Sequence, residues 1–141
     1  MLPPPMLFPL PAMETPARFP DTPAAAHGAR EVVAYAPSDR VTARLTWDEL
    51  RRGSREAARK LVAAGVGKGT RVGFLCTNRL EWLPIAFGAL RLGAVLVPLS
   101  TLWKRDELAY ALAHGDVEVL VMLPGFRKRI GYLFADVLVD S

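Results

Sequence analysis

Cysteine and histidine are scarce in this chain. Its 141 residues include one cysteine, Cys76, and two histidines. A single cysteine excludes an internal disulfide and argues strongly against a metal site built from cysteines. Because unpaired cysteine is usual in the reducing cytosol, we expect a cytoplasmic protein with no metal ligands.

A strong excess of either charge is also lacking. The chain has 18 Lys and Arg residues and 14 Asp and Glu residues, which gives a net charge of +4. This balance permits an anionic ligand but does not require nucleic acid. The densest basic stretch contains Arg51, Arg52, Arg55, Arg59 and Lys60. Since that face has no aromatic or polar groups for base contact, we expect a solvated surface and no nucleic-acid binding.

Only one stretch approaches the length of a membrane span. Trp82–Trp103 contains a single charged residue, Arg91, and a spanning helix needs about 20 apolar residues. Arg91, Gly93 and Pro98 interrupt the second half of this stretch. We therefore interpret it as a helix that ends at Gly93, followed by a buried strand, and we expect no membrane span.

Proline is concentrated near the start of the chain. Eight of the 12 prolines precede residue 24: Pro3, Pro4, Pro5, Pro9, Pro11, Pro16, Pro20 and Pro23. Proline fixes φ and has no N–H, so we expect no helix there. We interpret residues 1–29 as a disordered arm, a leader or a misassigned start rather than a proline-motif ligand. Residues 30–141, in a chain that is 51% hydrophobic, form the folded part.

Regular patterns begin near Glu31. Thr46 and Glu49 have the spacing of a capping box that opens a helix, and Asn78–Glu81 suggests a second one. Unbroken apolar runs, such as Ala94–Val97, are typical of parallel strands covered on both faces. The predicted elements are strands at 32–35, 41–45, 71–76, 94–97 and 117–122, and helices at about 46–64, 80–92, 104–114 and 126–139.

This order predicts an α/β fold in which an N-terminal β-hairpin precedes alternating β/α units. Such alternation is typical of a mainly parallel sheet with helices on both faces. The predicted core is Leu75, Phe87, Val95, Val97, Leu108, Leu112, Val119 and Val121. Because the helix over residues 80–90 is apolar on all sides, we expect exposed apolar surface and self-association wherever its outer face is uncovered.

Several phrases of the sequence, taken in order, resemble the N-terminal segment of the AMP-forming acyl-CoA synthetases, in the adenylate-forming superfamily. The phrases are Leu45–Leu50, Leu61–Gly73, Thr77–Trp82, Phe87–Leu99 and Asp106–Leu112. The resemblance extends from about Arg18 to Tyr132. It implies the partial N-terminal domain of a carboxylic acid–CoA ligase, an enzyme that in full length uses ATP, Mg²⁺ and CoA.

The resemblance also implies what this chain should not do alone. Family members depend on a phosphate loop rich in Ser, Thr and Gly, on later nucleotide motifs and on a lysine of a C-terminal domain, none of which is in this sequence. Gly67–Thr70 precedes a strand, whereas a phosphate loop follows one and opens a helix, so we interpret it as a turn. We expect an inactive fragment without cofactors, whose partner is the remainder of the synthetase. The alternative is a non-catalytic α/β interaction module that pairs with a separate chain carrying the active site.

No residue is a convincing catalytic candidate. His27 lies in the arm, His114 is placed to complement a helix dipole, and Cys76 ends a buried strand. The acidic residues Asp48, Glu49, Glu81, Asp106 and Glu107 all fall where helices begin, so capping explains them.

Ligands of open α/β sheets bind beyond the carboxyl ends of the strands. Two of these ends carry Ser100 and Thr101, and Arg127, Lys128 and Arg129. Three cations at a helix start could hold a phosphate, and in the family these segments lie toward CoA. We therefore take these five residues as candidate CoA-side contacts that give weak CoA or phosphate binding. The alternative is a solvated basic loop.

Overall fold

The computed structural model describes residues 15–122 and 137–139, which form two sheets and four α-helices. In chain order the elements are α1 Asp21–His27, β1 Glu31–Tyr35, β2 Ala43–Thr46, α2 Trp47–Ala63, β3 Arg71–Leu75, α3 Trp82–Arg91, β4 Val95–Pro98, α4 Arg105–His114, β5 Val119–Met122 and β6 Val137–Val139. The strands β1 and β2 form an antiparallel hairpin. The other four form a parallel sheet in the order β4-β3-β5-β6. The predicted α/β fold is therefore confirmed.

The parallel sheet separates two apolar clusters. Successive side chains of a strand point to opposite faces, so Phe74 joins a cluster with Ala86 and Ala89 of α3. Its neighbour Leu75 joins a second cluster with Leu108 of α4. The helices α3 and α4 thus cover opposite faces of the sheet, as expected for crossovers that pack on both sides.

The predicted core is confirmed in part. Leu75, Leu108, Leu112 and Val121 are buried, whereas Phe87, Val97 and Val119 are half-buried. The prediction for Val95 was wrong, because its side chain is 44% exposed. The apolar run of β4 suggested a strand covered on both faces, but β4 is an edge strand of the described sheet.

The capping box that opens α2 is confirmed. The Thr46 hydroxyl accepts the Glu49 N–H at 3.3 Å, and the Glu49 carboxylate accepts the Thr46 N–H at 2.7 Å. The second predicted box was wrong. Glu81 stands at the N-cap of α3 without a side-chain cap, and its carboxylate lies 3.5 Å from Nε of Arg79 instead.

The helix α1 lies inside the arm for which we predicted no helix, and this prediction was wrong. Pro20 is its N-cap residue and Pro23 falls in its first turn, where backbone N–H groups have no acceptor within the helix. Pro20 and Ala24 are buried. Residues 1–14 lie outside the described residues, so disorder there stays a prediction.

Two further predictions concern apolar segments. The stretch from Trp82 to Trp103 divides into α3 and β4, and none of the described helices is long and apolar enough to cross a membrane. The helix predicted over 126–139 is wrong at its end, because Val137–Val139 is the strand β6, paired with β5. A short run of apolar and β-branched residues suits a parallel strand; residues 123–136 lie outside the described part.

Candidate functional site

The carboxyl ends of β3, β4 and β5 lie at one edge of the parallel sheet. Phe74 is opposite Pro98, and Leu75 is opposite Met122. The chain after each strand therefore begins at this edge, which is where open α/β sheets bind ligands. It is the first candidate site, and it includes Ser100 and Thr101.

Ser100 forms a tight turn directly after β4. The Leu99 N–H still donates to the Phe74 carbonyl at 2.8 Å, so the strand pairing extends to the turn. The Ser100 hydroxyl then accepts the Leu102 N–H at 3.3 Å, and its carbonyl accepts the Trp103 N–H at 3.3 Å. Ser100 and Thr101 are both half-buried. The hydroxyl of Ser100 stabilises the turn in this state, and its proposed contact with CoA stays a prediction.

The remaining predicted cofactor-side residues, Arg127, Lys128 and Arg129, lie outside the described residues. The edge also carries Cys76, which is half-buried beside the α3 cluster, with its sulfur 3.8 Å from the Val121 carbonyl. His114 lies in the last turn of α4, where its ring stacks on Tyr110 at 5.4 Å.

The Gly67–Thr70 segment was predicted to be a turn and not a phosphate loop, and the structure tests this. Gly67–Thr70 is a turn, closed by the Gly67 N–H on the Thr70 hydroxyl at 3.0 Å, and it leads into β3 rather than into a helix. Within residues 15–122 and 137–139 no three His, Cys, Asp or Glu side chains are grouped to hold a metal. The turn predicted at Gly67–Thr70 is therefore confirmed, whereas the expectation that the chain alone holds no cofactor stays a prediction.

The basic face of α2 is partly neutralised. A guanidinium nitrogen of Arg51 lies 2.9 Å from the Asp48 carboxylate, and Lys60 lies 3.9 Å from Glu56. Arg55 reaches Asp21 of α1 at 3.1 Å. Three cations of the basic stretch therefore have acidic partners, which weakens the attraction of this face for polyanions.

A polar cluster between α1, α2 and α3 was not predicted. Arg91 donates two hydrogen bonds to the Asp21 carboxylate, at 2.7 and 2.8 Å, and its Nε donates to the Ser54 hydroxyl at 2.8 Å. The Arg91 side chain is only 13% exposed. Bonds from Arg91 hold the pKa of the Asp21 carboxyl below its usual value, which outweighs the opposite effect of desolvation, and Arg55 adds to it.

One sequence signal could have revealed half of this cluster. Arg91 is the single charge in an otherwise apolar stretch, and a buried arginine needs an acidic partner. That partner is 70 residues away, in a segment whose prolines suggested disorder. The partner could therefore not be identified from local patterns.

A groove between the hairpin and the start of α3 is the second candidate site. It encloses about 360 Å³ and is lined mainly by apolar groups, among them Tyr35, Leu45, Leu80 and Pro84. A smaller groove of about 190 Å³ adjoins it and shares Tyr35 and Leu80. The ion pair of Arg79 with Glu81 lies at the rim. The walls suit an apolar group but contain no nucleophile with a base beside it.

Comparison with known families shows to which family the chain belongs. The family described as AMP-binding enzyme matches residues 14–137. The chain belongs to that family. Among its relatives, the acyl-CoA ligase sidI of Aspergillus fumigatus is 38% identical over 89 residues, which is 63% of this chain and 14% of the ligase. The long-chain-fatty-acid–CoA ligase FadD13 of Mycobacterium tuberculosis is 32% identical over 78 residues, 55% of this chain and 16% of that protein.

Solved structures agree with the family. The N-terminal domain of FACL13 from Mycobacterium tuberculosis superposes with a TM-score of 0.74 and 27% identity, over 84% of this chain and 29% of that one. The anthranilate CoA ligase AuaEII shares the fold with a TM-score of 0.78 over 93% of this chain and 26% of its own. The chain thus spans about a seventh of the length of the curated relatives that it matches. It corresponds to the N-terminal part of an acyl-CoA ligase family member.

Proposed function

We propose that the chain provides the N-terminal part of an AMP-forming carboxylic acid–CoA ligase. In the complete reaction a carboxylate oxygen attacks the α-phosphorus of ATP, which releases pyrophosphate and forms an acyl adenylate. The thiol sulfur of CoA then attacks the acyl carbon and loses its proton, and AMP leaves. The observation that carries the proposal is the family match over residues 14–137, supported by relatives whose names describe acyl-CoA ligases.

We further propose that the chain alone is inactive and needs the remainder of the ligase as its partner. The described residues contribute a parallel sheet and its carboxyl edge, and within them no three His, Cys, Asp or Glu side chains are grouped to hold a metal. The test is pyrophosphate release with ATP and short- to long-chain carboxylic acids. Turnover above a heat-inactivated control, with any of these acids, would contradict the proposal.

The contribution of the chain to ligand binding is proposed to lie at the carboxyl edge of the sheet. Ser100 and Thr101 follow β4 there, and Arg127, Lys128 and Arg129 follow β5 in sequence. Their hydroxyls and cations suit the phosphates of CoA. Binding by these few groups without the rest of the ligase should be weak.

A second candidate is a non-catalytic module that pairs with a separate chain. It is favoured by one observation: Phe19 stacks on Phe87 of α3, and Pro20 is buried, so residues of this chain help to cover the apolar helix. Sequencing the gene beyond codon 141 and its neighbourhood separates the two candidates, because the module requires a nearby reading frame that encodes the phosphate loop. A continuous ligase frame excludes the module.

A further inference from the structure

Residues 15–27, which we call the N-terminal strap, lie across α2 and α3. Phe19 stacks on Phe87 with ring centroids 5.7 Å apart, and it meets Trp47 edge to face at 5.7 Å. Two residues further on, Asp21 accepts the paired hydrogen bonds of Arg91. The strap is thus attached by an aromatic contact and a carboxylate contact that are close in sequence.

The backbone hydrogen bonds of the strap are local. The Arg18 N–H donates to Thr15, the Asp21 N–H to Arg18 and the Ala24 N–H to Pro20. Backbone bonds to the rest of the fold occur just after the strap, where Gly28 and Arg30 accept the N–H groups of Asp48 and Trp47 at 3.0 and 3.1 Å. Side chains therefore provide the attachment of the strap, and Gly28–Arg30 fixes the point where it joins the fold.

We propose that the strap is a detachable element, which opens as a unit about Gly28–Arg30 while the parallel sheet and the α2–α3 pair stay folded. Segments with few contacts open at lower free energy than the core of the same protein. The helix α1 has seven residues, too few to be stable in water without packing. It therefore forms when Phe19 and Asp21 dock and is lost when they leave.

Opening uncovers a docking face with defined chemistry. The face presents the Phe87 ring beside Trp47, and the guanidinium of Arg91 beside the Ser54 hydroxyl. It fits an aromatic side chain followed two residues later by a carboxylate. The strap of a second copy of this chain has this sequence, and it would make the same ring and charge contacts between two chains as it makes within one. We therefore assign the second copy's strap as the occupant of the uncovered face.

The first test is native-state hydrogen exchange on the full chain. In Asp21→Asn and in Phe19→Ala, the Ala24 amide should exchange at least tenfold faster than in the wild type. The Leu99 amide, which pairs β4 with β3, should be unchanged. Arg44→Ala, which removes the ion pair with Glu31 on the hairpin, is the control and should alter neither amide. If Ala24 and Leu99 accelerate by the same factor, the strap unfolds only with the core and the proposal is wrong.

The second test uses a fluorescent peptide of residues 15–27. It should bind the full-length Asp21→Asn chain at least tenfold more tightly than the wild-type chain, because the competing strap of that variant is weakened. A peptide with Phe19→Ala should bind neither chain. Equal affinity for both chains, or no binding to either at millimolar peptide, would exclude the docking of a second copy's strap.

Discussion

Gly88 of α3 lies so close to Ala57 of α2 that a Cβ on Gly88 would be 2.7 Å from the Ala57 Cβ. The same added atom would lie 2.9 Å from the Ala58 amide nitrogen and 3.0 Å from the Ser54 carbonyl oxygen. Two of these three neighbours are backbone atoms, which cannot rotate away. The absence of a side chain at Gly88 therefore sets the distance between the two helices.

This contact predicts that Gly88→Ala destabilises the fold. Overpacking in a close-packed interior costs about 1–3 kcal/mol, and the helix propensity of alanine offsets up to about 1 kcal/mol of it. Gly67→Ala is the matched control, because nothing lies within 4 Å of the Cβ position there. Urea unfolding measures both variants. If Gly88→Ala is as stable as Gly67→Ala, the helices are not held at this distance.

The edge position of β4 predicts different effects for two valines of the same strand. Val97 packs against the buried cluster of Leu99 and Leu108, so Val97→Asp should lower the free energy of unfolding by about 2–4 kcal/mol. Val95 is 44% exposed, and Val95→Asp should cost under about 1 kcal/mol. Thermal unfolding compares the two. Equal losses would mean that β4 is covered similarly along its length.

The ion pair of Asp21 with Arg91 predicts a pH dependence of stability. The pKa of Asp21 is lower in the folded protein than its usual value of 3.8, so the unfolded chain takes up the proton first as the pH falls. The stabilisation is therefore complete well above pH 3.8 and is lost as the pH falls through the folded pKa. Unfolding curves of wild type and Asp21→Asn should differ at pH 7 and converge only as the pH falls below 3.8 and through the folded pKa. A difference that persists in acid would contradict the linkage.

Weak binding of CoA should depend on Arg127 rather than on the overall positive charge. We expect Arg127→Ala to reduce the affinity, because guanidinium groups can bind a phosphate through two hydrogen bonds. Arg59→Ala, an exposed residue of α2, should leave it unchanged. Calorimetric titration with CoA at two salt concentrations measures both. Equal losses in the two variants would indicate diffuse attraction without a site, and no binding at millimolar CoA would indicate a solvated loop.

Self-association should depend on whether the strap covers α3. The sequence suggested an exposed apolar helix, but in the described structure Phe19 lies on Phe87. We therefore expect Phe19→Ala to sediment as larger species than the wild type at tens of micromolar. Leu102→Ala, which removes an apolar side chain that is 86% exposed, should not increase association. Because the Phe19→Ala strap cannot dock on a second copy, a monomeric Phe19→Ala chain would mean that the uncovered faces of α3 do not associate directly with each other.

Local patterns in the sequence predicted most of the fold. The capping of α2 by Thr46 and Glu49 depends on residues three apart, and the alternation of strands and helices depends on periodicity within each segment. Both signals are local: the capping prediction for α2 was correct, and the predicted alternation was correct from β1 to β5 but wrong at Val137–Val139. The family was also predictable, because its phrases keep their order along the chain.

Features that depend on distant residues were not predictable in this way. Nothing near Val95 indicates that β4 lies at an edge, since an apolar run is equally suited to a central strand. The pairing of Arg91 with Asp21 joins a helix to a proline-rich segment, and the prolines were taken as evidence against structure. They are compatible with α1 because they precede or open its first turn.

Pro98 gives the edge strand a further property. The N–H groups of Val95 and Leu99 donate inward to Thr70 and Phe74 of the neighbouring segment, so by the alternation of a parallel ladder Leu96 and Pro98 are turned outward. Proline has no N–H. An incoming strand would therefore find a donor at Leu96 but none at Pro98. On the described sheet the outer side of β4 therefore lacks one hydrogen-bond donor, which disfavours the edge-to-edge pairing that leads to aggregation.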